Sequence, residues 1–166
     1  MRFAGVRYPD EALMHPAMKE FTFQAEQWLP RPREEVFAFF GEARNLETIT
    51  PPWLHFEVLT QSPIAMRTGT LIDYRIRVHG IPIHWRTEIA EWNPPHRFVD
   101  VQLRGPYTHW HHTHIFETHA GGTRCIDNVR YRPPGGALMN WLFVLRDVER
   151  IFAFRGARLA RIFGEN

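Results

Sequence analysis

Thr108-His109-Trp110-His111-His112-Thr113-His114-Ile115-Phe116-Glu117-Thr118 is the stretch whose reading decides how this chain folds. Side chains of a strand alternate between faces. Trp110, His112, His114 and Phe116 therefore share one side, and His109, His111, Thr113 and Ile115 the other. Two same-face histidines between aromatic rings have the look of a pocket lining.

The neighbouring segments say which side is inner. A two-residue turn at Ala120 and Gly121 leads into a strand over Thr123–Arg132 and sets His114 opposite Asp127. Moving the turn to Gly121 and Gly122 sets Phe116 opposite Asp127 instead, with the same two faces meeting. In this strand Cys125, Asp127, Val129 and Tyr131 face in, while Arg124, Asn128 and Arg130 face solvent. Before the histidine strand, Arg97–Arg104 alternates Val99, Val101 and Leu103 with Asp100, Gln102 and Arg104. A turn at Gly105 and Pro106 predicts Trp110 opposite Val101 and His112 opposite Val99, with Asp100 in an outer charged ladder beside Arg86, Glu88 and Arg104.

Further out, His55–Thr60, Thr70–Val78 and Ile81–Trp92 read as strands. The last two present Ile72, Tyr74, Ile76 and Trp85, Thr87, Ile89 on the inner face and turn at Gly80. Phe21–Leu29 alternates as a first strand. Pro32, acidic Glu34 and Glu35, and the apolar Val36, Phe37 and Phe40 then mark a short helix, with a second over Glu42–Ile49 ended by Pro51 and Pro52. Ala137–Phe163 has no proline and predicts a helix about 40 Å long. Leu138, Leu142, Leu145, Phe152, Leu159 and Ile162 form its expected stripe, and Gly156 marks a bend or a close approach.

With 166 residues the chain is of single-domain size and buries roughly 70% of its unfolded surface. Residues 1–20 show no period and read as an N-terminal arm, with one domain over 21–166. A net charge of +2, spread over scattered arginines, does not point to nucleic acid. One cysteine, Cys125, excludes an internal disulfide, and no apolar run is long enough to span a membrane. A cytoplasmic monomer or homodimer is the expectation.

A strand, two short helices, six further strands and a long helix satisfy short connections in one arrangement. It is an α+β helix-grip fold, in which a seven-stranded curved antiparallel sheet wraps the C-terminal helix and leaves a cavity between them. Pro32 to Phe40, Asn45-Leu46-Glu47 and Thr50-Pro51-Pro52-Trp53 resemble the START-like (SRPBCC, birch-pollen-allergen-like) superfamily, in its bacterial ligand-binding branch related to polyketide cyclases. So do Trp85-Arg86-Thr87, Glu91 to Pro95, Gly105-Pro106-Tyr107 and the Trp110, His112, His114, Phe116, Glu117 series, over Phe21 to Gly164.

The chemistry expected from this is binding of a hydrophobic or aromatic small molecule. Tyr74, Trp85, Trp110, Phe116, Val129 and Tyr131 supply apolar wall, and His112, His114 and Asp127 the few polar groups that orient a ligand. The resemblance also implies an alternative, a polyketide cyclase, aromatase or hydratase in which His114, oriented by Asp127, is the general acid or base. His112, His114 and Asp127 have spacing a metal can use, but the resemblance calls for none, so neither metal nor other cofactor is expected.

Overall fold

The computed structural model describes residues 2–4 and 19–164; the rest of the expected N-terminal arm lies outside the described residues. The strands are β1 (Arg2–Ala4), β2 (Phe21–Leu29), β3 (Glu57–Val58), β4 (Leu71–Val78), β5 (Ile81–Asn93), β6 (Arg97–Arg104), β7 (His109–His119) and β8 (Gly122–Arg132). Helices α1 (Arg33–Gly41) and α2 (Asn45–Ile49) follow β2. The chain ends in α3 (Gly136–Met139), a π-helical turn over Asn140–Val144, and α4 (Leu145–Gly164). The seven expected strands form one antiparallel sheet in the order β2-β8-β7-β6-β5-β4-β3, and β1 adds a short eighth strand at its edge.

The β7–β8 register is as expected, with His114 opposite Asp127. Ala120 and Gly121 both have positive φ, 47° and 75°, the backbone of a tight hairpin turn that matches strand twist. The β6–β7 register is not as expected. Phe98 pairs with His114 and Asp100 with His112, one residue away from the predicted pairing. The loop is centred on Pro106 instead of being a two-residue turn at Gly105 and Pro106. Gln102 turns its side chain into this loop, donating to Tyr107 O at 2.6 Å. A one-residue slip exchanges the faces of a strand, so Phe98 and Asp100 point inward and Leu103 is exposed. Asp100 therefore leaves the outer ladder, where Arg86 instead pairs with Asp73 at 2.8 Å.

The helix stripe also differs from expectation. The inward residues are Asn140, Val148, Phe152, Gly156, Leu159 and Phe163, whereas Leu138, Leu142 and Ile162 are exposed and Leu145 is half-buried. A π-turn takes up an extra residue, so it rotates the phase of everything on one side of it. Here it brings polar Asn140 inward, where its Oδ1 accepts from the Tyr131 hydroxyl at 2.9 Å. Gly156 is a close approach: its carbonyl accepts from Gln27 Nε2 at 2.9 Å, tying α4 to β2.

Apolar clusters fill both ends of the grip. Phe37 of α1 packs edge-on against Phe98 and Phe116, and Phe152 of α4 lies 4.8 Å from Phe23 of β2. At the start of β8 a Cβ on Gly122 would stand 2.3 Å from the Leu29 carbonyl oxygen and 2.8 Å from the Trp28 ring. Gly122→Ala is expected to cost about 1–3 kcal/mol, seen as a lower thermal midpoint. Gly164→Ala, where a Cβ meets nothing within 4 Å, should leave the midpoint in place.

Candidate functional site

Between the inner face of β4–β7 and helix α4 lies a cavity of about 390 Å³. The alternation of β4, β5 and β7 places Tyr74, Trp85 and Trp110 on its wall, and α4 adds Phe152. Trp85 and Trp110 meet edge to face at 5.5 Å, a tight aromatic corner. Polar groups gather at the floor, where Asp100, His112 and His114 line the cavity and Arg155 reaches in from α4.

Asp127 stands behind the two histidines. The imidazoles of His112 and His114 lie with ring centroids 3.7 Å apart, as two inward side chains of one strand. His112 Nε2 is 2.8 Å from Asp127 Oδ1 and His114 Nε2 is 2.9 Å from Asp100 Oδ2. The remaining contacts cross over: His114 Nδ1 is 3.0 Å from Asp127 Oδ1, off the line of a hydrogen bond, and His112 Nδ1 is 3.5 Å from Asp100 Oδ2. Phe98 stacks on His114 at 4.1 Å, sealing the other ring face.

Burial and pairing pull these groups in opposite directions. Burial alone raises the carboxyls, but hydrogen bonds and charge from the imidazoles overcome it, so Asp127 and Asp100 stay below the ordinary carboxylate range. His112 is pushed down, first by burial and then by its neighbour His114. His114 is lowered by burial but raised by more through Asp100 and Asp127, ending above the ordinary imidazole value. A closely packed pair splits in this way because two adjacent rings do not readily hold two positive charges.

Of the sequence-predicted residues, Tyr74, Trp85, Trp110, His112 and His114 line the cavity. Phe116, Val129 and Tyr131 lie in the packed clusters beside it. Sequence reasoning missed Asp100 and Arg155. Arg155 had a signal: it stands three residues after Phe152, one helical turn along the inward stripe, where a charge is out of place. Its guanidinium lies 5.0 Å over the Phe152 ring, and its buried Nε has no hydrogen-bond partner.

A curved antiparallel sheet gripping a helix around an aromatic cavity defines a START-like, helix-grip protein. The model for the polyketide cyclase / dehydrase and lipid transport family matches residues 29–153, and the chain belongs to that family. No match was found among curated proteins. Among solved structures the chain is similar to protein Ms6760 from Mycobacterium smegmatis, at 17% identity over 97% of each chain with a TM-score of 0.64. It is also similar to CV1439 from Chromobacterium violaceum, at 14% identity over 87% of this chain and 98% of that one, TM-score 0.70. A third likeness is to Ara h 8.0201, at 15% identity over 89% and 99%, TM-score 0.66. At these identities the likeness is one of fold. Among the described residues no helix is long and apolar enough to cross a membrane.

Proposed function

We propose that this protein binds a hydrophobic or aromatic small molecule in the cavity between the sheet and α4, with a polar oxygen of that molecule turned toward the floor. The observation that carries this reading is an aromatic wall with a cluster of polar groups beside it, while further polar and charged residues, Arg77, His79, Asp147 and Arg150, lie elsewhere on the lining. Trp85, Trp110 and Phe152 offer ring faces and edges, while Asp100, His114 and Arg155 are gathered at one place. About 390 Å³ falls within the usual range of small-molecule sites. Arg155 lines the cavity with a guanidinium that pairs with no carboxylate among the described residues, which suits a carbonyl, enol or carboxylate oxygen. The family description, which joins polyketide cyclases with lipid transport, fits an apolar ligand of this kind.

The test uses N-phenyl-1-naphthylamine, a neutral fluorescent probe. Saturable binding of one probe per chain is expected. Ile151, half-buried on the cavity lining, is the position to plug: Ile151→Trp should weaken the probe at least about tenfold, since it removes accessible volume without opening the core. Absence of saturable binding, or full binding in the plugged variant, overturns the reading. Arg155→Met should leave this neutral probe in place and weaken an apolar carboxylate, such as a naphthoate, by about tenfold, which a competition titration reads directly.

A further inference from the structure

We propose that Asp100, His112 and His114 form a divalent-metal site at the floor of the cavity, with Asp127 orienting His112 from behind. The inference shares the cavity with the ligand reading but does not depend on what the cavity holds.

Three donor atoms converge. Asp100 Oδ2 lies 2.9 Å from His114 Nε2 and 3.5 Å from His112 Nδ1. Bonds of about 2.1 Å put neighbouring donors of an octahedral or tetrahedral metal roughly 3.0–3.4 Å apart. Among the described residues, this is the group of histidine and carboxylate donors lying within 4.8 Å of one another. The three come from adjacent strands, two of them in a His-x-His pair on one face.

The far nitrogen of His112 is already engaged, and that of His114 lies beside the same carboxylate. Asp127 Oδ1 is 2.8 Å from His112 Nε2 and 3.0 Å from His114 Nδ1. A carboxylate that takes the N–H of a ring's far nitrogen leaves a lone pair on the near one, as in the outer shells of metal centres. With Asp127 taking the Nε2 proton of His112, the Nδ1 lone pair of His112 faces Asp100 Oδ2, while His114 Nε2 shares its proton with that same oxygen. A divalent ion at this place displaces the proton between His114 Nε2 and Asp100 Oδ2 and takes all three atoms as donors.

Charge points the same way. Two carboxylates with two neutral imidazoles, the state that a bound metal requires, carry a formal charge of −2 among Phe98, Trp110 and Phe152, offset in part by Arg155, which acts on Asp100 from α4. Among the described residues, neither carboxylate has a lysine or arginine ion-pair partner. A divalent cation cancels that charge in place. Asp100, His112 and His114 line the cavity while Asp127 does not, so a bound ion keeps positions open to the cavity. Two imidazoles and one carboxylate favour a first-row transition ion or zinc over calcium or magnesium.

The competing occupant is a proton on His114 Nε2 donated to Asp100. Co(II) titration of the untagged, chelator-stripped protein separates the two. One equivalent per chain is expected, with a visible d–d absorption band. Asp100→Ala and His112→Ala should each weaken it more than about 100-fold and Asp127→Asn by about 10–100-fold, whereas the outward pair His109→Ala/His111→Ala should leave it unchanged. Circular dichroism establishes that each variant is folded, and the isosteric Asp100→Asn replaces Asp100→Ala if the latter is not. Absence of the band overturns the inference, as does a band that survives at the floor variants and vanishes with the outward pair. Naphthylamine binding to the stripped protein keeps the readings apart, because a cavity without a metal still takes up the probe.

Discussion

Asp127→Ala is expected to destabilise the metal-free fold by about 3–5 kcal/mol, one of the two largest effects of any single change proposed for this chain. Asp127 Oδ1 faces a ring nitrogen of both His112 and His114, and all three side chains are almost completely enclosed. Removing the carboxylate leaves buried His112 Nε2 without its acceptor, takes a counter-charge from His114 and opens a void beneath them. Asp127→Asn keeps the volume and one acceptor oxygen, so it should cost clearly less. Chemical denaturation near pH 6 measures both, and a loss under about 1 kcal/mol for the alanine variant contradicts the argument. The pH dependence supplies a further check. The depressed Asp127 carboxyl contributes stability that is complete above its unfolded value of about 3.9 and declines as pH falls below it. The raised His114 imidazole contributes stability that is complete below about 6.5 and is lost as pH rises through its higher folded value. The deficit of Asp127→Ala should therefore be largest between about pH 4 and 6.5 and shrink on either side. His112 and Asp100 face the same contact, and Arg155 acts on Asp100 from α4, so their protonation moves the edges of that window without inverting it.

The legible part of this site is the part written in local rules. β7 and β8 are joined by a tight turn, and a turn at Ala120 and Gly121 or at Gly121 and Gly122 brings the same faces together, so parity alone puts His112, His114 and Asp127 on one face. β6 was misread for a reason that is also local. Val99, Val101 and Leu103 make the better apolar alternation, but the loop is centred on Pro106 and held by Gln102, and loop geometry sets the register. The misreading hid Asp100, the carboxylate that faces the cavity, and left Asp127, which stands behind the histidines, as the apparent partner. On the helix, the π-turn at Asn140–Val144 is invisible to a period of 3.6, so the stripe read across it is out of phase before Val148. Downstream, Phe152 and Leu159 fall where periodicity puts them. Fold-level reading survives such slips because many strands share in it, whereas a site made of four side chains does not survive a change of one residue in register.

Phe152→Ala should match the first prediction in size, with a loss of about 3–5 kcal/mol, and should differ from it in being partly reversible by ligand. Phe152 is one of the side chains by which α4 meets the sheet: its ring lies 4.8 Å from Phe23, 5.7 Å from His112 and beneath the Arg155 guanidinium. Truncation removes the aromatic burial and joins the vacated space to the cavity, whose nearby lining of Trp110 and Val148 is apolar. Such a space stays dry and readily accepts an apolar guest. A guest bound only to the folded state stabilises by RT ln(1 + [L]/Kd), about 2.7 kcal/mol at a concentration one hundred times Kd. Thermal melts with and without saturating N-phenyl-1-naphthylamine should therefore show a larger upward shift for Phe152→Ala than for the parent chain. Phe37→Ala, in the cluster with Phe98 and Phe116 under α1, is the matched control: it should lose comparable stability without gaining a larger ligand shift, because Phe37 does not line the cavity. An equal shift in both variants would mean that the probe answers to general loosening of the core, and that Phe152 does not separate the cavity from the packing beside it.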